Sequence, residues 1–465
     1  MFFLLFHRLL RPRIVLAILA LGPGAMFGQS VAGTLPEDYL PGLKAILTDA
    51  LNLAPRMLDQ RIALAQADVD KMAANSALYP RLTGGAGYGV SSARSASATS
   101  SSSSSSSGFT YGLTLSQPLF QEGAIKAQSD IAKLGQQIAQ KNYQAAYLSL
   151  ASTLRYQYLQ LVVKKAMLTQ TRLQVATQDK ELVVKRDSIA RGESAPSELP
   201  SAEAAAETVR LAADRQALDF ENSKRLFSRL AGGALPTDDA IPDSIPEPRL
   251  ADGAPAALLA AFLRGGIDQT PQAQTYALYL RQNDLRAKVA KYTNYPKFSL
   301  STGASVSANT SSDSFGNVSQ GFVQGRNAGV SMGLTFFDAG SAKAAKLGAA
   351  NARRTTERQL QAYLDTTRDD ATSREKQVSL EYRAMALAEQ NRRISLGLRD
   401  LDRQQVLTGL KAPVDAERSE ISYRGTEISA FGARASFLQQ WADFVSLVGA
   451  DPMVNQLPAN LRHGQ

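Results

Sequence analysis

The 465-residue sequence contains no cysteine, two histidines and one tryptophan, and only 7% of its residues are aromatic. Without cysteine, the chain has no disulfide, no thiolate nucleophile and no cysteine-ligated metal or iron–sulfur site. The histidines, His7 and His463, stand near opposite ends of the sequence. No buried histidine base, catalytic triad or histidine metal cluster is therefore available. We expect no enzymatic activity, no catalytic residues, no cofactor and no metal.

Long hydrophobic runs are also scarce, and the clearest one lies near the N-terminus. The apolar residues 14–21 follow a basic stretch and precede Gly22, Pro23, Gly24 and Ala25. This layout is typical of a secretory signal peptide, and the run is shorter than the ~20 residues of a membrane-spanning helix. We predict a signal peptide over residues 1–28, with cleavage as late as residue 33. An amphipathic or anchoring N-terminal segment is the alternative.

A basic block is missing as well, although the formal net charge is +9. The lysines and arginines are scattered among glutamates and aspartates, with no interleaved aromatic residues. This pattern predicts solvated helix surfaces, and we expect no nucleic-acid partner.

An internal repeat runs through the sequence. Four pairs of segments resemble each other at an offset of 216 or 217 residues: YPRLTGGAGYGVS (79–91) with YPKFSLSTGASVS (295–307), LSQPLFQEG (115–123) with MGLTFFDAG (332–340), RGESAPSE (191–198) with TGLKAPVD (408–415), and RLAG (229–232) with SLVG (446–449). Four landmarks in one order predict two tandem structural copies.

We place repeat 1 at 34–232, a linker or equatorial segment at 233–260, and repeat 2 at 261–465. Each repeat is predicted to hold a helix, a β-hairpin, a long helix and a return helix, in that order, and the second repeat ends in a C-terminal tail. The hairpins are expected at 80–120 and 296–337. The prolines and acidic residues after Gly232 mark the linker.

Each predicted hairpin alternates apolar residues with Ser, Thr and Gly. In the first strand Leu82, Ala86, Tyr88 and Val90 alternate with small or polar residues. Strands of about ten residues with such unlike faces favour a membrane-spanning sheet over an ordinary half-buried hairpin. Four strands cannot close a barrel, because roughly eight are needed. Several chains must therefore share one barrel. The serine-rich segments 91–108 and 308–326 are predicted to be mobile loops.

The remaining sequence predicts long helices. Residues 124–190 and 341–407 each form a stretch of about 67 residues, or roughly 100 Å. Four shorter helices are predicted at 46–78, 197–230, 261–294 and 414–447. Two short helices laid end to end equal one long helix, so both kinds fit one bundle of uniform height. Apolar residues at coiled-coil spacing indicate helix packing.

Together these features resemble the TolC-like outer-membrane channels of tripartite efflux pumps and type I secretion systems. The resemblance rests on the duplication, the Tyr-Pro pair before each hairpin, the QPLF passage from strand to helix, and the Gly-then-Pro turns at 192–196 and 409–413. It implies a mixed fold, all-α apart from the membrane strands. Long antiparallel helices would form a periplasmic α-barrel joined to a homotrimeric 12-stranded outer-membrane β-barrel, with four strands per chain.

The resemblance also implies a location and partners. The protein would lie in the outer membrane of a Gram-negative bacterium, surrounded by lipid, with a large periplasmic part. It would conduct substrates passively from a periplasmic adaptor protein and an inner-membrane transporter, whose ABC, RND or MFS class stays open. A periplasmic coiled-coil adaptor or scaffold without a pore is the alternative. Whether the cargo is protein or small molecules also stays open.

Residues at the helix tips take their expected roles from this resemblance. Asp415 matches the acid that rings the family's constriction, whereas Arg418 replaces a second ring acid and Val406 replaces a tyrosine of the gate. The expected adaptor-docking positions are Gly192, Ala195, Pro196, Gly409, Leu410, Ala412 and Pro413. The gate candidates are Ser197, Glu198, Lys411, Asp415 and Arg418.

A third set of candidates joins strand to helix. Pro118, Phe120 and Gly123 occupy the first joint, and Phe337 and Gly340 occupy the second. The second copy has Thr335 in place of the proline, so we expect the aromatic residue and the glycine to be the working parts. The aromatic side chains suit an interfacial girdle, and the glycines suit the turn into the helix.

Overall fold

A computed structural model describes residues 35–96, 101–233, 235–313, 315, 317–458 and 461. The predicted signal peptide lies outside the described residues. Two features organise the fold: very long helices and one four-stranded sheet.

The elements alternate in the predicted order. The helices are α1 (Pro36–Tyr39), α2 (Pro41–Leu53), α3 (Pro55–Ser76), α4 (Ala124–Ala190), α5 (Leu199–Ala231), α6 (Ala254–Ala261), α7 (Pro271–Lys291), α8 (Ser341–Leu407) and α9 (Pro413–Leu447). The strands are β1 (Arg81–Ala96), β2 (Ser101–Phe120), β3 (Lys297–Ser312) and β4 (Val318–Gly333). Short 3₁₀ helices lie at Pro196–Glu198, Asp238–Ala240, Ile267–Gln269 and Pro452–Gln456.

The two long helices match their predicted bounds. Helices α4 and α8 contain 67 residues each, and α8 begins and ends 217 residues after α4. Both are free of proline, so no residue interrupts the backbone hydrogen bonds. The return helices α5 and α9 begin within two residues of their predicted starts. The duplication is therefore a property of the fold as well as of the sequence.

Two of the shorter helices differ from their prediction. The expected helix 46–78 is broken at Ala54, whose ψ is 131°, because Pro55 disfavours a helical conformation in the residue before it. The expected helix 261–294 starts late. A π-type turn with Gly265 at φ 155° precedes it, and α7 begins at Pro271, where the Thr270 hydroxyl accepts a bond from the amide of Ala273 at 3.3 Å. Among the described residues, no helix combines the length and apolarity needed to cross a bilayer.

The four strands form one antiparallel sheet in the order β1-β2-β3-β4. The pairing of β2 with β3 joins the two repeats. One row of the register runs across all four strands from Tyr88 to Phe109, Ala308 and Phe322. A bulge between Pro118 and Phe120 marks the end of β2. Strand β4 ends at Gly333, so the predicted hairpin end at residue 337 was too late.

The prediction of serine-rich loops was wrong. Residues 91–96 and 101–108 extend β1 and β2, and residues 308–312 and 318–326 extend β3 and β4. The strands are 16 to 20 residues long, not about ten. Serine is tolerated because its backbone is paired on both sides in β2 and its hydroxyls pair across strands, as in Ser91 with Ser106 at 2.8 Å.

The main apolar core lies around the middle of α4. It combines α1 and α2 with parts of α4, α5, α9 and the linker, and Trp441, Phe437, Tyr147 and Phe227 are almost fully buried in it. Elsewhere the long helices bury few residues within one chain. The core therefore fixes the helices at mid-height and leaves their ends exposed.

A buried ion cluster lies at the edge of this core. Arg155 on α4 is 0% exposed. Its Nε donates to Glu37 at 2.9 Å, and its two terminal nitrogens donate to Asp451 at 2.6 and 3.0 Å. Burial opposes the charge, but the two carboxylates raise the pKa of the guanidinium above its usual value. One side chain thus holds together α1, α4 and the segment after α9.

A second buried cluster ties α8 to α9. Glu389 accepts from Arg434 at 2.5 Å and from Arg392 at 2.8 Å, and Arg434 also donates to the backbone carbonyl of Ile245 in the linker. Burial alone would raise the pKa of Glu389, but the bonds from Arg392 and Arg434 lower it. The linker is therefore anchored to the second repeat by charge as well as by apolar contact.

We predict that Arg155→Met lowers the free energy of unfolding by about 3–5 kcal/mol, because it leaves two buried carboxylates unpaired. Adding Glu37→Gln and Asp451→Asn should recover most of the loss. The matched control is Arg353→Met, which removes two exposed ion pairs, with Asp284 and with Glu357, and should cost less than about 1 kcal/mol. Thermal unfolding followed by circular dichroism measures the stability of both variants. Equal losses of stability in Arg155→Met and Arg353→Met would contradict the role of Arg155 as a buried anchor.

Candidate functional site

The first helix tip is a turn built on Gly192. Helix α4 ends at Ala190, and Gly192 has φ +76°. The amide of Glu193 donates to the carbonyl of Ser188 at 2.8 Å and that of Gly192 to Ile189 at 3.0 Å. This bond pair closes a helix end through a left-handed residue, a conformation that glycine adopts without strain. Ala195 and Pro196 then lead into the 3₁₀ helix that starts the return.

The second tip repeats this geometry 217 residues later. Gly409 has φ +73°, and the amide of Leu410 donates to the carbonyl of Gln405 at 2.8 Å. Ala412 precedes α9, and Pro413 is its first residue. Leu410 is 77% exposed. Both tips therefore present the same exposed turn, which carries the ion pair of Arg191 with Glu193 in the first repeat and Leu410 in the second.

Charged pairs brace each tip from within its own hairpin. Glu198 pairs with Lys185 of α4, and Ser197 is exposed beside it. Lys411 pairs with Asp402 of α8. The bond from Lys411, with a further one from Ser419, lowers the pKa of Asp402. Within one chain, Glu198 and Lys411 thus each have a partner in their own hairpin.

A different set of ion pairs joins the two hairpins. Arg418 on α9 donates from Nε to Glu181 on α4 at 2.9 Å, and Lys180 on α4 contacts Glu417 on α9 at 2.7 Å. Asp415 lies 4.0 Å from Arg418. Two adjacent residues on each helix thus form a reciprocal pair of opposite charges. We call these four residues, Lys180, Glu181, Glu417 and Arg418, the cross-hairpin latch.

The sequence did not reveal this latch. Arg418 was predicted as a gate candidate at a position where the family has an acid, and the other three latch residues were not singled out. A cross-hairpin contact joins residues 237 positions apart, and sequence periodicity within one helix does not specify it. The adjacent opposite charges Lys180-Glu181 and Glu417-Arg418 were the only available signal.

Near the latch, one carboxylate on α9 contacts three arginines. Glu420 contacts Arg403 at 2.9 Å, Arg424 at 3.0 Å and Arg399 at 3.6 Å. The Arg399 guanidinium also lies 4.6 Å from the centre of the Tyr423 ring. Glu420 and Tyr423 thus hold α8 and α9 in register next to the latch, in the region where Val406 replaces the expected tyrosine.

The two joints between strand and helix share an unusual backbone. Gly123 and Gly340 have φ +76° and +90°, and the residue before each, Glu122 and Ala339, also has positive φ, +48° and +52°. Two consecutive left-handed residues turn the chain sharply from strand into helix. Non-glycine residues in this region carry strain, so the surrounding structure must hold them there.

The second joint has a carboxylate cap. Asp338 accepts from the amides of Gly340 and Ala342 at 3.0 and 2.7 Å and from the Asn294 side chain at 2.7 Å. The bond from Asn294, followed by those from the two amides, lowers the pKa of Asp338. In the first joint Gln121 occupies the equivalent position.

The aromatic residues of the joints are exposed in a single chain. Phe120 packs against Phe298, with ring centres 6.4 Å apart, and Phe337 is 86% exposed. Pro118 lies within β2 at the bulge. The described residues contain no group of His, Cys, Asp and Glu that could hold a metal ion.

Comparison with known proteins identifies a family match within the first repeat. Residues 46–232 match the family model described as "Outer membrane efflux protein". No curated protein sequence matches the chain. The predicted resemblance to the TolC-like channels is thereby confirmed.

Solved structures extend the likeness to the whole fold. The CmeC outer membrane channel of Campylobacter jejuni has a TM-score of 0.67 at 17% identity, over 90% of this chain and 88% of that one. The open state of the Neisseria gonorrhoeae MtrE channel has a TM-score of 0.60 at 19% identity, over 88% and 89%. The outer membrane protein VceC of Vibrio cholerae has 0.59 at 16%, over 90% and 99%. These likenesses confirm the predicted fold class of long helices with a four-stranded antiparallel sheet.

We predict that Gly340→Ala destabilises the protein by about 1–2 kcal/mol, because a Cβ is strained at positive φ. A steric clash does not contribute, since no atom lies within 4 Å of the added Cβ. The control is Gly348→Ala, in the interior of the helix that Gly340 precedes and equally open, which should stabilise by about 0.5–1 kcal/mol. In denaturant titration the free energy of unfolding should therefore fall in Gly340→Ala and rise in Gly348→Ala. A change in the same direction in both variants would contradict the backbone argument.

Proposed function

We propose, on the premise that this chain is a TolC-like outer membrane efflux protein, that three copies form the outer-membrane channel of a tripartite efflux or type I secretion system. The observation that carries the proposal is the four-stranded sheet. It has unlike faces, and β1 and β4 have no further strand beside them among the described residues. Unpaired edges must be covered or joined, and joining three copies supplies twelve strands, enough for a barrel.

The two faces of the sheet suit lipid and water. One face carries Leu82, Leu113, Val306 and Val330, and the other carries mainly Ser, Thr, Gly and Asn. In a closed barrel the first face would meet outer-membrane lipid and the second would line a water-filled passage. The helices would continue that passage into the periplasm.

The helix surfaces support association of identical chains. On α8 the residues Leu380, Leu387, Ile394 and Leu401 recur every seven positions and are all exposed in a single chain. On α3 an exposed apolar row contains Leu58, Ile62, Val69 and Met72. Stripes of this spacing pack against other helices. A neighbouring copy would cover them, which gives the trimer its helical wall.

The tips are the proposed gate and adaptor-docking surface. The exposed turns at Gly192 and Gly409 would meet the periplasmic adaptor, and the inner-membrane transporter would supply the energy. The cross-hairpin latch would hold the hairpins together until the adaptor moves them apart. Conduction itself would be passive and would require no cofactor, no metal and no catalytic residue.

The helical contact between copies is tested by Leu387→Glu. A charge in the apolar stripe of α8 should convert most of the trimer to monomer in detergent, measured by light scattering coupled to size exclusion. Leu387→Met keeps the apolar contact and should leave the trimer intact. A trimer that survives Leu387→Glu unchanged would show that this stripe is not the contact between copies.

Channel function is tested by single-channel recording from the purified oligomer in planar bilayers. Arg418→Glu should raise the open probability about tenfold, because a trimer loses three latch pairs worth ~0.5 kcal/mol each. The double variant Glu181→Arg/Arg418→Glu restores the pairing and should restore wild-type behaviour.

The control for the latch is Arg210→Glu. It removes an ion pair with Asp179 that joins two helices of one hairpin, so the open probability should stay near that of wild type. Equal open probabilities for Arg418→Glu and wild type would rule out the latch. Absence of a pore in every variant and in wild type would rule out the channel.

A further inference from the structure

The four strands carry positive charge only. They contain Arg81, Arg94, Lys297 and Arg326, and no aspartate or glutamate. The register places Arg94 in line with Ser103, and Arg326 opposite Ala304, on the same face as Leu82, Leu113 and Val306. In the proposed channel this face meets lipid. Two arginines per chain therefore stand on a surface that is otherwise uncharged.

A row of aromatic residues indicates how deep these arginines would lie in the membrane. Tyr88, Phe109 and Phe322 share one row on this face, and the first two rings lie 4.7 Å apart. Such a row marks the outer interface of a membrane barrel. Arg326 lies four residues from Phe322 toward the helices, or about 10 Å deeper for a tilted strand. Arg94 lies six residues beyond Tyr88, or about 15 Å outside that row.

Arg326 has an environment suited to an anionic lipid. It is exposed, and its neighbours on this face are Ala304, Gln324 and Ala328. A lipid-facing arginine is costly near the membrane midplane unless an anion accompanies it. A lipid phosphate accepts charge-assisted bonds from a guanidinium, and the long side chain can rise toward it.

An open depression adjoins Arg326 on the same face. It has a volume of about 470 Å³, and its lining includes Leu82, Leu113, Leu115, Ala304 and Ala328. Small alanines between larger leucines leave a shallow, mostly apolar channel, with Thr302 and Asn327 as polar members of its lining. This surface suits a segment of an acyl chain whose phosphate lies above it.

Beyond the aromatic row the same face becomes hydroxylated. The residues that share this property are Ser92, Ser103, Ser105, Ser107, Thr310 and Ser312. Ser105 and Ser312 form a hydroxyl pair at 2.8 Å. These residues occupy the face from just beyond the aromatic row out to the level of Arg94, where the headgroups of the outer leaflet would lie. Serine and threonine hydroxyls both donate and accept, as sugar hydroxyls do.

We infer that the outer half of this face binds a phosphorylated glycolipid of the outer leaflet, one per chain. Arg326 would hold a phosphate, the depression beside it an acyl chain, and the hydroxyls just beyond the aromatic row, such as Ser107 and Thr310, the sugars above. This inference rests on the proposed membrane function. It gives the serine-rich strand extensions a role that neither the pore nor the helix tips provide.

The test uses the full-length oligomer in detergent, titrated with hexa-acylated diphosphoryl lipid A and observed by native mass spectrometry. Wild type should bind up to one lipid per chain. Arg326→Gln should weaken binding about fivefold, and Arg326→Lys should retain most of it. Arg94→Gln, about 25 Å farther out on the tilted strands, should leave the binding of this lipid unchanged. Dephosphorylated lipid A should bind weakly, and inorganic phosphate at equal concentration should not compete.

The matched control is Arg81→Gln, which removes a strand cation from the opposite face at the helix-proximal end and should bind like wild type. Equal binding of phosphorylated and dephosphorylated lipid, or equal losses in Arg81→Gln and Arg326→Gln, would overturn the inference. Planar-bilayer conductance separates this from the channel proposal, because Arg326→Gln should still conduct. A conducting oligomer that does not bind the lipid would reject the lipid site and leave the channel proposal standing.

Discussion

The buried contact of Arg155 with Glu37 and Asp451 is the constraint on which the middle of the molecule depends. It joins three segments that are far apart in sequence, in a place where water cannot replace a lost partner. Apolar packing around Trp441 and Tyr147 supplies most of the favourable burial there. The charges fix which segments meet, because an unpaired buried carboxylate is more costly than an imperfect apolar contact.

The two repeats share helices and strands but not their buried charges. Helices α4 and α8 correspond residue for residue at an offset of 217, whereas position 372, equivalent to Arg155, is a threonine. The Glu389 cluster likewise has Arg172 at its equivalent position in repeat 1. The two repeats therefore have the same helices but are anchored by different buried charges. In the proposed trimer, alternate helical hairpins would differ in how firmly they are held at mid-height.

The features that could be predicted from the sequence are those with local causes. The bounds of α4 and α8 follow from proline-free stretches between glycine-bearing turns, and the alternation in the hairpins follows from the period of a strand. The break at Ala54 was missed because Pro55 begins one helix while ending another. The serine-rich strands were missed because their order comes from neighbouring strands up to 207 positions away. The latch was missed for the same reason, and the roles of the tip and joint residues stay predictions.

The latch pairs lie at the surface, where the side chains of Arg418 and Lys180 are 62% and 65% exposed. Mobile ions screen such pairs within a Debye length of about 8–10 Å at physiological salt. If the latch closes the tips as proposed, its strength follows the ionic strength of the surrounding compartment. The buried Arg155 cluster is shielded from that influence. The ion cluster at mid-height is thus insensitive to salt, whereas the proposed closure of the tips would weaken as the ionic strength rises.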